Sequence, residues 1–351
     1  MPLVTNRKLE VDTSTPTKKS PPKANSPSIE EIKSAGKAKL RTAREMERAE
    51  EQGVRNAPKL WHSAFDFVFD SSTDPTTCGG YVTGGRGVLV IIPGFSSWQG
   101  MKPAHVERWK EAALLVPPTE SVTGARSAEQ KALSLVFKWP CGEVKWTSME
   151  ANVEGAAAWA DAHDAAKDAA ASLTRLLRYL SGLGGKVVVA AHSLGALVAL
   201  QALSNDLAAP RVDGLLVLGA AVNSHALSGI DEQGVPAEFP FARLMSKVDS
   251  LVLAHSAADT ALRMCWAPFE KARLRLPEAP PPPLGLVGPV LEARDVSHLG
   301  EWADRVIMLN AAVDATTHDP CDYLTLPGVA YRLRQALFPG APPPSGMLGP
   351  E

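Results

Sequence analysis

Apolar positions occur along this chain in short, almost uncharged runs, and these runs alternate with longer segments that show helical periodicity. Runs without polar positions are typical of strands that are buried on both faces of a parallel sheet. The pattern predicts such strands at residues 87–92, 132–139, 187–189, 214–219, 250–254 and 306–309. Residues 61–69 alternate in the manner of a further strand, and residues 81–83 are an additional candidate.

The segments between these strands predict helices. Residues 105–116 carry a helical period, residues 153–183 predict a long alanine-rich helix with leucines on one face, and residues 329–337 predict a C-terminal helix. Strands that alternate with helices, without hairpin signals, form an open parallel sheet. The sequence therefore predicts an α/β fold, a mostly parallel twisted sheet with helices on both faces and ligand sites at the carboxyl ends of its strands.

The two ends of the chain differ from its middle. Residues 1–27 are rich in Pro, Ser, Thr and Lys and predict a flexible tail, whereas residues 28–52 predict a capped helix that is polar nearly all round. The predicted organisation is a flexible basic tail with a charged helix over residues 1–57, an α/β domain over residues 58–338, and a disordered tail over residues 339–351.

A proline-rich segment precedes the last predicted strand. Residues 277–290 include four consecutive prolines at 280–283, and we expect neither helix nor central strand there. The favoured interpretation is a connection that runs over the surface. A rigid lid that borders the active site is the alternative.

Composition excludes several classes of protein. The formal net charge is −2 and no basic stripe is interleaved with aromatics, which argues against nucleic-acid binding. The four cysteines are scattered without metal-ligand spacing, so we expect free thiols, no metal and no cofactor. No apolar secretory signal or bilayer-length apolar run occurs. We expect an intracellular protein, cytoplasmic by preference with organelle import left open, and no transmembrane segment.

The strongest signal of chemistry follows the strand at residues 187–189. Its β-branched run continues into Ala191-His192-Ser193-Leu194-Gly195 and then into an apolar helix. Small residues two before and two after Ser193 allow a tight turn that projects its hydroxyl at the carboxyl end of the strand, near the Leu194 N–H. This pattern resembles the nucleophile elbow of α/β-hydrolases, Gly-x-Ser-x-Gly, with alanine in place of the first glycine. The alternative is a serine that caps a buried helix, with His192 as a satisfied core histidine.

A serine nucleophile needs a base and an acid that orients the base. The α/β-hydrolase resemblance implies the chain order serine, acid, histidine, which selects Asp259 after the strand at 250–254 and His318 after the last strand. Two other histidines fit less well as the base. His298 precedes the last strand, and His255 comes before the acid in the chain and not after it. Asp314 is the alternative acid, and Asp259 also has the position of a helix N-cap.

The resemblance also implies an oxyanion hole. In α/β-hydrolases the loop after the strand that corresponds to residues 87–92 supplies a backbone N–H, and the matching residue here is Phe95, with Pro93 in place of the usual histidine. Leu194 supplies the second N–H. An ordinary strand-to-loop turn is the alternative interpretation of residues 93–98.

The sequence is similar to a group of predicted serine esterases within the α/β-hydrolase superfamily over roughly residues 85–335. The similarity rests on four segments: Phe137-Lys-Trp-Pro140, Ala191-His-Ser-Leu-Gly195, Ser256-Ala-Ala-Asp-Thr-Ala-Leu262 and Asp314 to His318. It implies a hydrolase fold and a catalytic triad of Ser193, Asp259 and His318.

Two functional hypotheses follow. The first is a serine esterase or lipase-like hydrolase that cleaves a small-molecule or lipid ester through an acyl-enzyme on Ser193. The second is a non-catalytic subunit of this fold within a larger assembly, docked to a protein partner through the helix at residues 28–52. A nucleotide-binding enzyme is disfavoured because the glycines at 79–87 precede their strand and no phosphate-binding loop motif occurs.

Overall fold

The fold is described from a computed structural model of the protein. The structure describes residues 67–76, 87–95, 132–142, 151–204, 209–228, 238–291, 300–311 and 315–339. Several predictions lie outside these residues: the tail and helix of residues 1–57, the strand start at 61–66, the candidate strand at 81–83, the helix at 105–116, His298, Asp314 and the tail beyond residue 339.

The described residues form one seven-stranded sheet in which every neighbouring pair is parallel. Its order is β1-β3-β2-β4-β5-β6-β7. The strands are β1 (Phe67–Asp70), β2 (Val88–Ile92), β3 (Leu133–Lys138), β4 (Val187–His192), β5 (Gly214–Leu218), β6 (Leu251–His255) and β7 (Val306–Asn310). The predicted α/β class is confirmed, and the apolar runs in the sequence match the strands closely.

Seven helices accompany the strands in the described part of the chain. They are α1 (Ala151–Gly182), α2 (Gly195–Ser204), α3 (Phe241–Met245), α4 (Thr260–Leu274), α5 (Leu284–Val287), α6 (Pro320–Leu324) and α7 (Pro327–Leu337). The long predicted helix and the C-terminal helix correspond to α1 and α7.

Alternate side chains of each strand point to opposite faces of the sheet. Both faces are buried along β2, β4, β5 and most of β6, whereas the edge strand β7 is partly exposed. Val88, Val90 and Ile92 belong to a core that includes α1, α2 and α4. Leu89 and Ile91 belong to a second core that includes α6 and α7. This two-sided burial explains why the strands appear in the sequence as continuous apolar runs.

The strand order creates a crevice at one point of the sheet. β2 and β4 are hydrogen-bonded neighbours, although β3 lies between them in sequence and on the other side of β2. The chain therefore leaves the carboxyl ends of β2 and β4 in opposite directions. In open parallel sheets, ligands bind outside the carboxyl ends of the strands at such a switch point.

The proline-rich segment differs from its prediction, and the expectation that it holds no helix was wrong. Helix α5 begins directly after Pro283. Prolines lack a backbone N–H, whereas the residues after Pro283 have the N–H groups that helical hydrogen bonds need. The segment is also not a simple surface connection. Leu284 is fully buried, and the N–H groups of Leu284 and Gly285 donate to Val222 O and Ala220 O just past β5.

None of the described helices combines the length and the apolar character that crossing a bilayer requires.

A polar cluster lies buried between α1 and α4. The indole Nε1 of Trp159 donates to Glu270 at 2.9 Å, and Arg273 donates to both oxygens of the same carboxylate. Burial raises the pKa of Glu270, but these hydrogen bonds outweigh burial and lower it below its usual value. His163 Nε2 lies 3.6 Å from Glu270, and burial lowers the pKa of His163 to about 4. This contact is therefore between a neutral imidazole and a carboxylate at neutral pH.

The neutral state of His163 predicts a pH-dependent stability. The pKa of His163 is 6.5 in the unfolded chain and about 4 in the folded chain. As the pH falls from 6.5 to 4, the unfolded chain therefore binds a proton that the folded chain does not bind. We expect the free energy of unfolding to fall by up to about 3 kcal/mol between pH 6.5 and 4 from this residue. Urea unfolding at pH 7 and pH 4.5 measures the difference. His163→Gln cannot titrate, and an equally steep pH dependence in this variant would contradict the assignment.

Candidate active site

Ser193 occupies a tight turn between β4 and α2. Its backbone φ is 53°, in the left-handed region that residues other than glycine rarely adopt. The Ser193 N–H donates to Leu218 O at 3.0 Å, and the Ala221 N–H donates to Ser193 O at 3.1 Å, so the turn is tied to the end of β5 and the residues after it. These bonds hold the serine in its unfavourable backbone conformation at the carboxyl edge of the sheet.

Two glycines allow the neighbouring backbone to approach this turn. A Cβ atom on Gly195 would lie 2.5 Å from Ile92 O and 2.6 Å from Pro93 O. A Cβ atom on Gly94 would lie 2.4 Å from the Ser193 Cβ. The segment after β2 therefore packs directly against the serine turn, and only residues without a side chain permit this spacing.

Asp259 lies in the loop between β6 and α4. It is the N-cap of α4, and its Oδ1 accepts a hydrogen bond from the Leu262 N–H at 3.0 Å. Its side chain is 0% exposed. The helix start thus fixes the orientation of a carboxylate that has no access to solvent.

His318 joins Asp259 to Ser193. Its Nδ1 is 2.6 Å from Asp259 Oδ2, and its Nε2 is 2.8 Å from Ser193 Oγ. Because the carboxylate can only accept, the proton of the neutral ring lies on Nδ1. Nε2 is then the acceptor for the serine hydroxyl. The structure brings these three side chains together in one chain of hydrogen bonds.

Tyr323 is a fourth member that sequence analysis missed. Its hydroxyl donates to Asp259 Oδ2 at 2.8 Å, and the side chain is fully buried on α6. Burial, together with the nearby charge of Asp259, raises the pKa of the Tyr323 phenol, which keeps its proton. The signal that could have found it is physical: a buried carboxylate needs donors, and a tyrosine follows five residues after the candidate base.

His192 packs beside the base without a hydrogen bond. The rings of His192 and His318 have centroids 4.5 Å apart and an interplanar angle of 46°. Neither nitrogen of His192 has a hydrogen-bond partner among the described residues, so the satisfied core histidine of the alternative interpretation is not found. Burial, and then the proximity of His318, lowers the pKa of His192 well below 6.5. His192 is therefore a neutral side chain that borders the site.

The loop after β2 lies against the serine and is anchored by a tryptophan. The indole Nε1 of Trp139 donates to Pro93 O at 2.9 Å in a buried hydrogen bond. A Cβ atom on Gly94 would lie 3.0 Å from Ser193 Oγ, so the residue before Phe95 lies against the serine side chain. Trp139, in the segment after β3, thus secures this loop.

The side chain of Phe95 contributes a second anchor. Its ring packs edge-on against Trp159, with centroids 5.2 Å apart, and lies 6.5 Å from the ring of Phe269. Gly142 leaves room for it, since a Cβ there would be 2.5 Å from the Phe95 ring. The aromatic contacts connect the loop to helices α1 and α4.

The first turn of α2 supplies backbone donors on the serine side. The N–H groups of Ala196 and Leu197 bond back to Ser193 O and Leu194 O at 3.1 Å each. Leu194 lies just before these two residues, at the start of the helix, where backbone N–H groups have no acceptor within the helix. Positive partial charge at this helix start suits a negatively charged oxygen.

The competing histidine His255 lies apart from this constellation. It ends β6, and its ring faces α5, where a Cβ on Gly288 would lie 3.2 Å from its Nε2. Burial lowers the pKa of His255, and a hydrogen bond with the backbone of Leu286 partly offsets this. His255 thus has a packing role in the structure.

The described residues contain no group of three His, Cys, Asp or Glu side chains that could hold a metal ion. Cys141, Cys265 and Cys321 are free thiols.

Comparisons of this protein with protein-family models, with curated proteins and with solved structures found no significant match.

The close approach at Gly195 predicts a steric effect. Gly195→Ala places a methyl group within 2.6 Å of the carbonyl oxygens of Ile92 and Pro93, which are backbone atoms and cannot rotate away. We expect a loss of stability of roughly 1–3 kcal/mol, measured by chemical denaturation.

Gly182→Ala is the matched control. A Cβ at this last residue of α1 meets nothing within 4 Å, so we expect no loss of stability and a gain of up to about 1 kcal/mol. Equal stability of the two variants would show that the β2–α2 approach is not tight.

Proposed function

We propose that the protein is a serine hydrolase with an α/β-hydrolase-like fold, which cleaves a carboxylic ester or lipid ester through an acyl-enzyme on Ser193. The observation that carries the proposal is the continuous chain of hydrogen bonds from Ser193 Oγ through His318 to Asp259, with distances of 2.8 and 2.6 Å. A serine hydroxyl that donates to an imidazole oriented by a buried carboxylate is the arrangement that nucleophilic acyl transfer requires.

The placement of the three residues supports the proposal. They follow β4, β6 and β7, and all lie at the carboxyl edge of the sheet, next to the switch point between β2 and β4. Structural carboxylates and histidines have no reason to converge on a serine that is held in a left-handed backbone conformation. Such strain persists where the surrounding structure enforces it, and it clusters at functional sites.

Each side chain has one role in the proposed reaction. Ser193 Oγ attacks the ester carbonyl while His318 Nε2 takes its proton, and His318 then returns that proton to the leaving alcohol. Water enters next, gives a proton to His318 and attacks the acyl carbon. His318 then returns this proton to Ser193 Oγ as the bond between Oγ and the acyl carbon breaks, which releases the acid and restores the serine. Asp259 holds the Nδ1 tautomer and stabilises the imidazolium in both steps.

The backbone N–H groups of Phe95 and Leu194 form the proposed oxyanion hole. The carbonyl oxygen gains negative charge in the tetrahedral state, and donors that are fixed beforehand stabilise that charge without reorganisation. The loop of Phe95 is fixed by Trp139 and Trp159, and the N–H of Leu194 is fixed by the start of α2. The proposed steps require only side chains, backbone donors and water, so the proposal assigns no cofactor.

Removal of the nucleophile is the direct test. We expect Ser193→Ala to lower kcat for short p-nitrophenyl esters by on the order of 10^4-fold or more, because the acyl-enzyme cannot form. A fluorophosphonate probe should label the protein at one site and fail to label this variant. Ser172→Ala is the control, since its hydroxyl only accepts a hydrogen bond from Arg175 on α1.

Equal turnover by Ser193→Ala would refute the esterase proposal. If the folded protein neither turns over esters nor reacts with the probe, the result favours the alternative of a non-catalytic subunit that docks on a protein partner.

The anchored loop gives a second prediction. Trp139→Phe removes the hydrogen bond to Pro93 O, so the Phe95 N–H is held less firmly beside Ser193. We expect kcat to fall about 10-fold with little change in KM, since the oxyanion forms only in the transition state.

Trp266→Phe is the matched control for this experiment. It also loses a hydrogen bond from an indole to a proline carbonyl, that of Pro281 in the proline-rich segment, at 2.8 Å, and it keeps an aromatic ring beside Trp159. The same decrease of kcat in both variants would assign the effect to general loss of packing.

A further inference from the structure

We propose that Tyr323 is a positioning residue of the active site. It fixes the Asp259 carboxylate and, together with His318, donates hydrogen bonds to the negative charge of that carboxylate. The inference rests on the proposed function of Ser193 and extends it to a residue that does not contact the serine. The motif that predicted Ser193, Asp259 and His318 carries no information about this tyrosine.

Two donors converge on one carboxylate oxygen. Asp259 Oδ2 accepts from His318 Nδ1 at 2.6 Å and from the Tyr323 hydroxyl at 2.8 Å, while Oδ1 accepts from the Leu262 N–H at 3.0 Å. With a donor on each oxygen and two on Oδ2, rotation of the carboxylate would break several bonds at once. Tyr323 thereby fixes the direction in which Asp259 meets the imidazole.

The carboxylate is also held without a permanent cation. Its side chain is 0% exposed, and no described lysine or arginine lies within ion-pair distance of it. A buried carboxylate is costly unless hydrogen bonds replace its lost hydration. Besides the His318 ring, the Tyr323 hydroxyl and the Leu262 N–H are the donors that replace the lost hydration of this carboxylate.

A tyrosine at this position is a permanent donor. Its phenol is deeply buried and next to a carboxylate, and both factors disfavour ionisation of the ring. Gly219, with φ of 51°, makes room for the ring, since a Cβ there would lie 2.9 Å from three of the tyrosine atoms. The backbone after β5 is therefore adapted to this side chain.

His318 and Tyr323 are set by the same short element. Asp319 caps α6 by accepting from the Cys321 N–H at 2.8 Å, and His318 directly precedes this cap in a left-handed conformation with φ of 59°. The cap and the left-handed turn together direct two side chains five positions apart to one oxygen. A displacement of α6 would move the base and the phenol together.

The consequence for catalysis concerns charge. A hydrogen bond from Tyr323 withdraws charge from Asp259, so the carboxylate attracts the imidazolium less strongly than it would alone. The neutral base is then available at lower pH. Besides Asp259 and Tyr323, the ionisable side chains that approach this group among the described residues include His192 on β4, whose ring centroid lies 4.5 Å from that of His318, Cys265 on α4, which interacts with Asp259, and Asp322 on α6, which interacts with Tyr323. Asp319, the cap of α6, directly follows His318 in the chain.

The test uses Tyr323→Phe in the full chain. We expect kcat to fall roughly 10-fold with KM nearly unchanged, and the midpoint of the acid limb of kcat/KM to move up by about half a pH unit, the equivalent of one lost hydrogen bond. Site-specific 3,5-difluorotyrosine at position 323 keeps the ring and strengthens the donor. It should move the midpoint to lower pH, and it keeps the proposal testable if the phenylalanine variant does not fold.

Tyr331→Phe is the matched control. Its hydroxyl is hydrogen-bonded to the Gln335 side chain on α7, so this variant also loses one tyrosine hydrogen bond but none at Asp259. We expect the pH profile of this variant to match that of the unmodified protein.

A second readout separates this inference from the proposed function. The low-field proton resonance of the His318 Nδ1–H reports its hydrogen bond to Asp259 without any turnover, and it should shift in opposite directions in the phenylalanine and difluorotyrosine proteins. If the unmodified protein is inactive but these shifts occur, the esterase proposal fails and the positioning role stands. An unchanged resonance and an unchanged acid limb in both proteins would overturn the role of Tyr323.

Discussion

The burial of the Asp259 carboxylate is the constraint on which this site depends. A charge at that depth is stable only where donors surround it, and those donors come from the start of α4, from the imidazole and from a phenol on α6. Each donor is fixed in turn by a helix start, a left-handed turn or a glycine. The polar centre and the loops that carry it are therefore parts of one structure, whose members cannot move independently.

The sheet contributes rigidity and position. Seven parallel strands with apolar side chains on both faces bring the loops after β2, β4, β6 and β7 to one edge. Gly94 and Gly195 allow the first two of these loops to touch, and the hydrogen bonds around Ser193 hold its unfavourable conformation. Strain in the serine turn is thus stabilised by packing in the core and by the register of β4 and β5.

The fold class followed from the sequence because buried parallel strands leave continuous apolar runs, such as Val88 to Ile92. Ser193 was found because a strand, a tight turn and a helix leave a local signature, and Asp259 and His318 were selected by their places after strands. Tyr323 was not found, since a contact between residues 259 and 323 has no local pattern. Helix α5 was missed because the four prolines up to residue 283 argued against a helix in the whole segment, including the four residues that follow them. The hydrogen bond from Trp139 to Pro93 was also not predicted, because it is a tertiary contact without a local sequence pattern.

The order of these elements along the chain has a consequence for biosynthesis. His318, Tyr323 and helices α6 and α7, which belong to the second core, are all translated after Ser193 and Asp259. Among the described residues, a nascent chain that has exposed only the residues up to β7 lacks the helices α6 and α7 of the second core, and its Asp259 carboxylate lacks His318 and Tyr323. Because His318 directly precedes α6, the same stretch of chain that adds α6 and α7 to the second core also brings the imidazole to the hydroxyl of Ser193.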